Sequence, residues 1–158
     1  MPPTIRFDVP GLSQPNSSIC WWAAMKMLIL YHRNRGVLNT VLNDIESNQY
    51  AMHKYDINEG ATANEIEVIA QAIGFSILPC TLNGQGLYSH MQRHGPQVYS
   101  GYWADDEGGH AVVLAGTDGN RISIRDPLFG GGAANYFRFS SQYLIMHTAL
   151  IYLNDGNL

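Results

Sequence analysis

Cys20 stands where a loop rich in Gly, Pro, Asn and Ser, Gly11 to Ser18, meets the start of a long apolar segment. If that segment is a helix, the thiol lies at its N-terminus, where unpaired backbone N–H groups and the positive dipole end favour the thiolate. The thiolate is the nucleophilic form of cysteine. Position alone also fits a buried core cysteine, since free cysteine is among the most buried residue types. Three further features point to chemistry. Gln14 lies six residues before Cys20, and its side-chain amide with the Cys20 backbone N–H would make an oxyanion hole. Gly108-Gly109-His110 opens an apolar strand, and paired glycines let a substrate or another backbone come close to the imidazole. Asp126, followed by Pro127, closes the next strand.

The turn between those strands decides whether the acid meets the imidazole. A three-residue loop, Thr117-Asp118-Gly119, with Gly119 in the left-handed region sets Gly116 opposite Asn120. Leu114 then faces Ile122, Val112 faces Ile124 and His110 faces Asp126 on one sheet face. A two-residue Asp118-Gly119 turn would instead set Ala111 opposite Asp126. Apolar residues pair in both registers, but only the first joins acid to base, and it is the expected one. Cys20, His110 and Asp126 then form a nucleophile, a base and an orienting carboxylate.

These residues are carried by an α+β plan. Ile5 to Val9 alternates as a short strand, and Asn16, Ser17 and Ser18 are candidate N-caps for a helix over about Ile19 to Arg35. Basic residues His32, Arg33 and Arg35 suit its C-terminal end, with Gly36 after it. The stretch 37–58 is expected to be helical in part. Thr62-Ala63-Asn64-Glu65 is a capping box that opens a helix ending at Gly74. A strand over Phe75 to Leu78 and a helix over Leu87 to His94 follow. Strands are then expected over Gln97–Trp103, His110–Gly116, Arg121–Asp126, Tyr136–Phe139 and Ala149–Leu153. Helices first and an antiparallel sheet afterwards is an α+β architecture.

Gln14-x5-Cys20-Trp21 before a long helix, then Gly109-His110 on a strand and Asp126-Pro127 after a hairpin, resembles the papain-like cysteine peptidases. The chain is most similar to their compact bacterial branch, which includes bacteriocin-exporter domains that cut after double-glycine leaders and papain-like effector and toxin domains. The resemblance spans about residues 5–153. It implies a papain-like fold, with Gln14 supplying the oxyanion hole, Cys20 the nucleophile, His110 the base and Asp126 its orienter. It departs from the plant and lysosomal members in having Ser18-Ile19 before the nucleophile, where they have Gly-Ser, and Asp126 where they have Asn.

Composition excludes other classes. The 158 residues fit one domain, 1–158, with a core large enough to need no disulfide or metal staple. Net charge is -4, and nine Lys and Arg form no cationic stripe, which argues against nucleic-acid binding. Two cysteines make neither a disulfide framework nor a four-thiolate zinc site. The apolar run Trp21–Leu30 contains Lys26 and is far short of about 20 residues, so no membrane span is expected, nor is a signal peptide seen.

Other residues have structural readings. Cys80 reads as a core filler. His90 and His94 have a zinc-like spacing but no HExxH glutamate and no evident third ligand, so neither metal nor organic cofactor is expected. Gly130-Gly131-Gly132 lacks the Lys-Ser/Thr of a phosphate loop. At least one of Trp21 and Trp22 is expected in the core, while Tyr102 and Trp103 either line the cleft or half-bury on a strand. Asp105, Asp106 and Glu107 read as a solvated tip, or as a device raising the imidazolium population and favouring basic substrates.

The expected function is a cysteine endopeptidase with a protein or peptide substrate, one containing Gly-Gly among the candidates. Family analogy adds a context: a toxin or effector domain, delivered as part of a larger secreted protein into a recipient cell and neutralised by an immunity partner. Deamidation or transglutamination by the same triad, and a non-catalytic peptide-binding member, are the alternatives.

Overall fold

The computed structural model describes residues 4–79, 84–102, 109–127, 135–138 and 146–154. In chain order they form β1 (Ile5–Arg6), α1 (Cys20–Asn34), a 3-10 turn (Ile45–Ser47), α2 (Gln49–Asp56), α3 (Ala63–Ile73), β2 (Ser76–Leu78) and α4 (Gly84–His94). Then come β3 (Gln97–Tyr102), β4 (Gly109–Thr117), β5 (Arg121–Arg125), β6 (Asn135–Arg138) and β7 (Met146–Tyr152). The strands make an antiparallel sheet in the order β2-β7-β3-β4-β5-β6, with β1 added on β4. The expected α+β plan is found. Among the described residues no helix is long and apolar enough to cross a membrane.

Helix α1 is apolar on nearly every side and therefore buried, as such helices must be. It packs mainly on β3 and β4 and shares one core with Val98, Ala111, Val113, Ala115 and Ile151 of the sheet and Ile66, Ile69 and Ile73 of α3. The opposite sheet face, with Tyr99, Val112, Leu114, Ile122, Ile124 and Leu150, is covered by Leu87 and Met91 of α4. Both faces are dry, so β4 reads Ala111 to Ala115 without the polar alternation of a half-exposed strand. Before its last turn, Lys26 is the charged exception on α1, and its Nζ lies 2.9 and 2.7 Å from the two Asp44 carboxylate oxygens.

The β4–β5 hairpin differs from the expected register. Asp118 and Arg121 flank a two-residue turn, Gly119–Asn120, closed by the Asp118 N–H donating to Arg121 O at 3.3 Å. Gly119 has φ 94, as the first residue of a type II′ turn requires. The Asp118 carboxylate also accepts from the N–H groups of Asn120 and Arg121 at 2.8 Å each. Thr117 pairs with Ile122 and Gly116 with Ser123, but a bulge then intervenes, and Leu114 pairs with Ile124 and Val113 with Arg125. The extra residue, Ala115, gives its carbonyl to the Phe7 N–H at 2.7 Å, so the bulge accompanies the docking of β1. The expected pairs Leu114–Ile122 and His110–Asp126 are therefore not formed. Carried one step further, the ladder sets Asp126 beside Val112, about 7 Å along the strand from His110.

Two more expectations change. Helix α1 begins at Cys20 with the buried Ile19 as its N-cap residue, and no side chain caps it. Asn16, Ser17 and Ser18 shape the preceding loop instead. At the other end, His32 does not act as a cation on the helix dipole. It is buried, and desolvation followed by the Arg35 charge lowers its pKa to about 4, so it is neutral at pH 7.

Candidate active site

The short β1 decides where the nucleophile goes. Ile5 pairs with Thr117 and Arg6 with Gly116, antiparallel to β4, just beyond the last β3 partner, Leu114. A Cβ on Gly116 would lie 2.5 Å from the Ile5 carbonyl oxygen, so only glycine allows this approach. The chain consequently runs down β4 from its Thr117 end toward its His110 end and delivers Gln14 there. The Gln14 backbone N–H then donates to Pro127 O at 3.1 Å, tying the loop to the residue after Asp126. Gln14, Asp126 and the start of β4 are thus gathered at one end of the sheet.

Cys20 is half-buried at the first position of α1 and packs partly against the main core. With Ile19 as an apolar N-cap, the first-turn N–H groups of α1 receive no acceptor from the capping side chain. Such an end presents donors and a positive dipole to any anion at the thiol. The Gln14 amide nitrogen donates to Asn16 O at 2.9 Å and Ser17 O at 3.0 Å, while its buried oxygen has no partner among the described residues. Asp126 is 2 % exposed at the end of β5. His110 is the second residue of β4, paired with Gly101 of β3, and its side chain lies outside the described residues.

Trp21 and Trp22 are both buried. The Trp21 indole donates to Glu59 O at 3.3 Å, and the Trp22 ring lies 4.6 Å from that of Tyr55. The Tyr102 side chain, Cys80, Trp103, Asp105, Asp106, Glu107 and Gly130 to Gly132 lie outside the described residues. His90 and His94 stack with Tyr152 at 4.6 and 4.7 Å, and His90 Nδ1 lies 2.5 Å from the Gln97 amide nitrogen. Burial, then the neighbouring His94, lowers the His90 pKa. Among the described residues no three His, Cys, Asp or Glu converge as a metal site.

One group at the site is not evident from motif or spacing. Asn58, just after α2, has φ 50, a left-handed conformation that Asn tolerates. Its Oδ1 accepts from the Ser18 N–H at 3.1 Å and its Nδ2 donates to Ser17 Oγ at 3.3 Å. Behind it, the buried Lys54 ammonium lies 3.0 Å from Glu59 and 2.8 Å from Glu65, and donates to Gly60 O at 3.4 Å. An Asn after a helix is a turn signal in sequence, but nothing there reveals a partner 40 residues away.

Comparison with known proteins bears on the fold and the family. A protein described as a C39-like peptidase from Bacillus anthracis superposes with a TM-score of 0.62 at 15% identity, covering 96% of this chain and 98% of that one. The peptidase domain of Streptococcus ComA, a bifunctional ABC transporter of a quorum-sensing pathway, gives 0.56 at 16% identity, with 92% and 96% covered. A structure from work on the mite allergens Blo t 1 and Der p 1 gives 0.64 at 15% identity, with 98% and 71% covered. These likenesses establish the fold. No curated protein sequence matches significantly. The family model described as papain-like cysteine protease AvrRpt2 matches residues 3–140. The chain therefore belongs to this family of papain-like cysteine proteases and is a cysteine peptidase, a hydrolase acting on protein or peptide substrates.

Proposed function

We propose that Cys20, His110 and Asp126 are the catalytic triad and that Gln14, with the Cys20 backbone N–H, binds the oxyanion. The observation that carries this reading is the half-buried Cys20 thiol at a helix start with no side-chain cap, in a chain of this family. The Cys20 thiolate adds to the scissile carbonyl carbon, and the carbonyl π electrons move to oxygen. One Gln14 amide N–H turns from a loop carbonyl to that oxygen, since the group has two donors. His110, as imidazolium, protonates the departing amine while the C–N bond breaks. It then takes a proton from water, whose oxygen displaces Cys20 from the thioester and leaves a carboxylate. Asp126 holds the imidazole tautomer.

The proposed substrate is a protein segment, Gly-Gly-containing segments being the first to try given the likeness to exporter peptidases. The proposed setting is a toxin or effector domain carried within a larger secreted protein, acting in a recipient cytoplasm and held by an immunity partner. A proteome-wide search for new N-termini tests the reaction. Wild type should create them and Cys20→Ala should not. A gain of about one dalton at glutamines without new N-termini would identify deamidation instead. Harmless expression of the active chain in bacterial cytosol would count against the toxin setting.

A further inference from the structure

The peptide group joining Ser17 and Ser18 is gripped from both sides. Its carbonyl accepts from the Gln14 amide nitrogen at 3.0 Å, and its N–H donates to Asn58 Oδ1 at 3.1 Å. A hydrogen bond at one end of a peptide unit polarises and orients the bond at the other. We propose that Asn58 is a positioning residue for the oxyanion donor: it fixes the Ser17–Ser18 peptide, and that peptide fixes the Gln14 amide. This inference rests on the proposed oxyanion role of Gln14.

Three features make Asn58 suited to this. Its backbone at φ 50 is a conformation in which Asn is enriched. Its second side-chain atom holds Ser17 Oγ at 3.3 Å, so both halves of the amide are spent on the loop before the nucleophile. Its own segment is anchored from behind, by Trp21 Nε1 on Glu59 O at 3.3 Å and by Lys54 on Glu59 and Gly60. The strap 58–60 therefore holds the nucleophile loop against a buried cation instead of resting on solvent.

The test is a double-mutant cycle with a synthetic peptide spanning a cleavage site mapped from the new N-termini. Asn58→Gly accepts φ 50 and removes both side-chain bonds. It should lower kcat roughly tenfold, the size of one lost hydrogen bond, with KM within about twofold. Gln14→Ala should lower kcat about a hundredfold or more. In that background Asn58→Gly should cost less than about twofold, because residues acting as one unit are not additive. Asn58→Asp keeps the acceptor for Ser18 N–H and can accept from Ser17 Oγ, so it should recover most of the loss and covers the case of a poorly folding glycine variant. A tenfold loss that persists undiminished in the Gln14→Ala background overturns the Asn58 role alone. Wild-type turnover by Gln14→Ala overturns the oxyanion assignment and the Asn58 role together.

Discussion

At the start of α3 the Thr62 hydroxyl accepts from the Glu65 N–H at 3.2 Å, and the Glu65 carboxylate accepts from the Thr62 N–H at 3.0 Å. At the start of α1 a buried isoleucine occupies the equivalent position and offers no acceptor. The difference is not for want of polar groups, because Asn16, Ser17 and Ser18 lie just upstream of Ile19. Ser17 and Ser18 are bound to Asn58, and the loop carbonyls of Asn16 and Ser17 hold Gln14. A capped helix start uses its N–H groups for stability, typically about 1 kcal/mol. An open start forgoes that stability and keeps its donors for an anion, which is what a thiolate nucleophile needs.

Mutations at the two ends should therefore have opposite signatures. Cys20→Ala should abolish peptide turnover while leaving the thermal unfolding midpoint nearly unchanged, and a variant that turns over like wild type would break the comparison outright. Glu65→Ala removes the α3 cap, the Tyr50 hydrogen bond and the nearer partner of the buried Lys54. Denaturant titration should show a loss of about 3 kcal/mol, the scale for a buried cation deprived of a partner.

Acid extends the contrast to the far end of α1. The His32 pKa is near 6.5 in the unfolded chain and about 4 in the fold. The unfolded state thus binds the proton first, so stability is full above pH 6.5 and declines as pH falls toward 4, by at most about 1.4 kcal/mol per unit. His32→Leu should flatten part of this slope, and His90, whose pKa is also lowered, contributes in the same direction. Glu65, held down to about 2 first by Lys54, then by the Thr62 N–H and Tyr50, adds a second decline as pH falls from about 4.5 toward 2. Thr62→Ala is the mildest change: about 1 kcal/mol less stable, with kcat within twofold of wild type.

Local signals were legible in the sequence and long-range ones were not. The Thr62–Glu65 capping box and the stop at Gly74 follow from four adjacent residues and from a glycine at φ 126, where a Cβ would collide with the Val41 carbonyl. Strand and helix identities follow from periodicity, to within a few residues at each end. The β4–β5 register failed because the Gly119–Asn120 turn competes with the expected three-residue Thr117-Asp118-Gly119 loop over the same few residues. The Ala115 bulge answers to β1, more than a hundred residues away in sequence. Cys20 and Gln14 were readable as a helix start and its loop. The Asn58 clamp and the Lys54 anchor depend on how α2 folds back on that loop, which no spacing rule records.

The antiparallel seat of β1 on β4 divides the proposed site between the sheet and the helical layer. Residues 5–7 are tied to β4, and Gln14 is tied to Pro127, so both ends of the arm between them are anchored to the sheet. Cys20 is instead the first residue of α1 in the helical layer. The few residues from Gln14 to Cys20 bridge these mounts, and the Asn58 bonds to Ser17 and Ser18 hold that bridge on the helical side. The short chain between Gln14 and Cys20 thus sets the distance between a residue anchored to the sheet and one anchored to the helices.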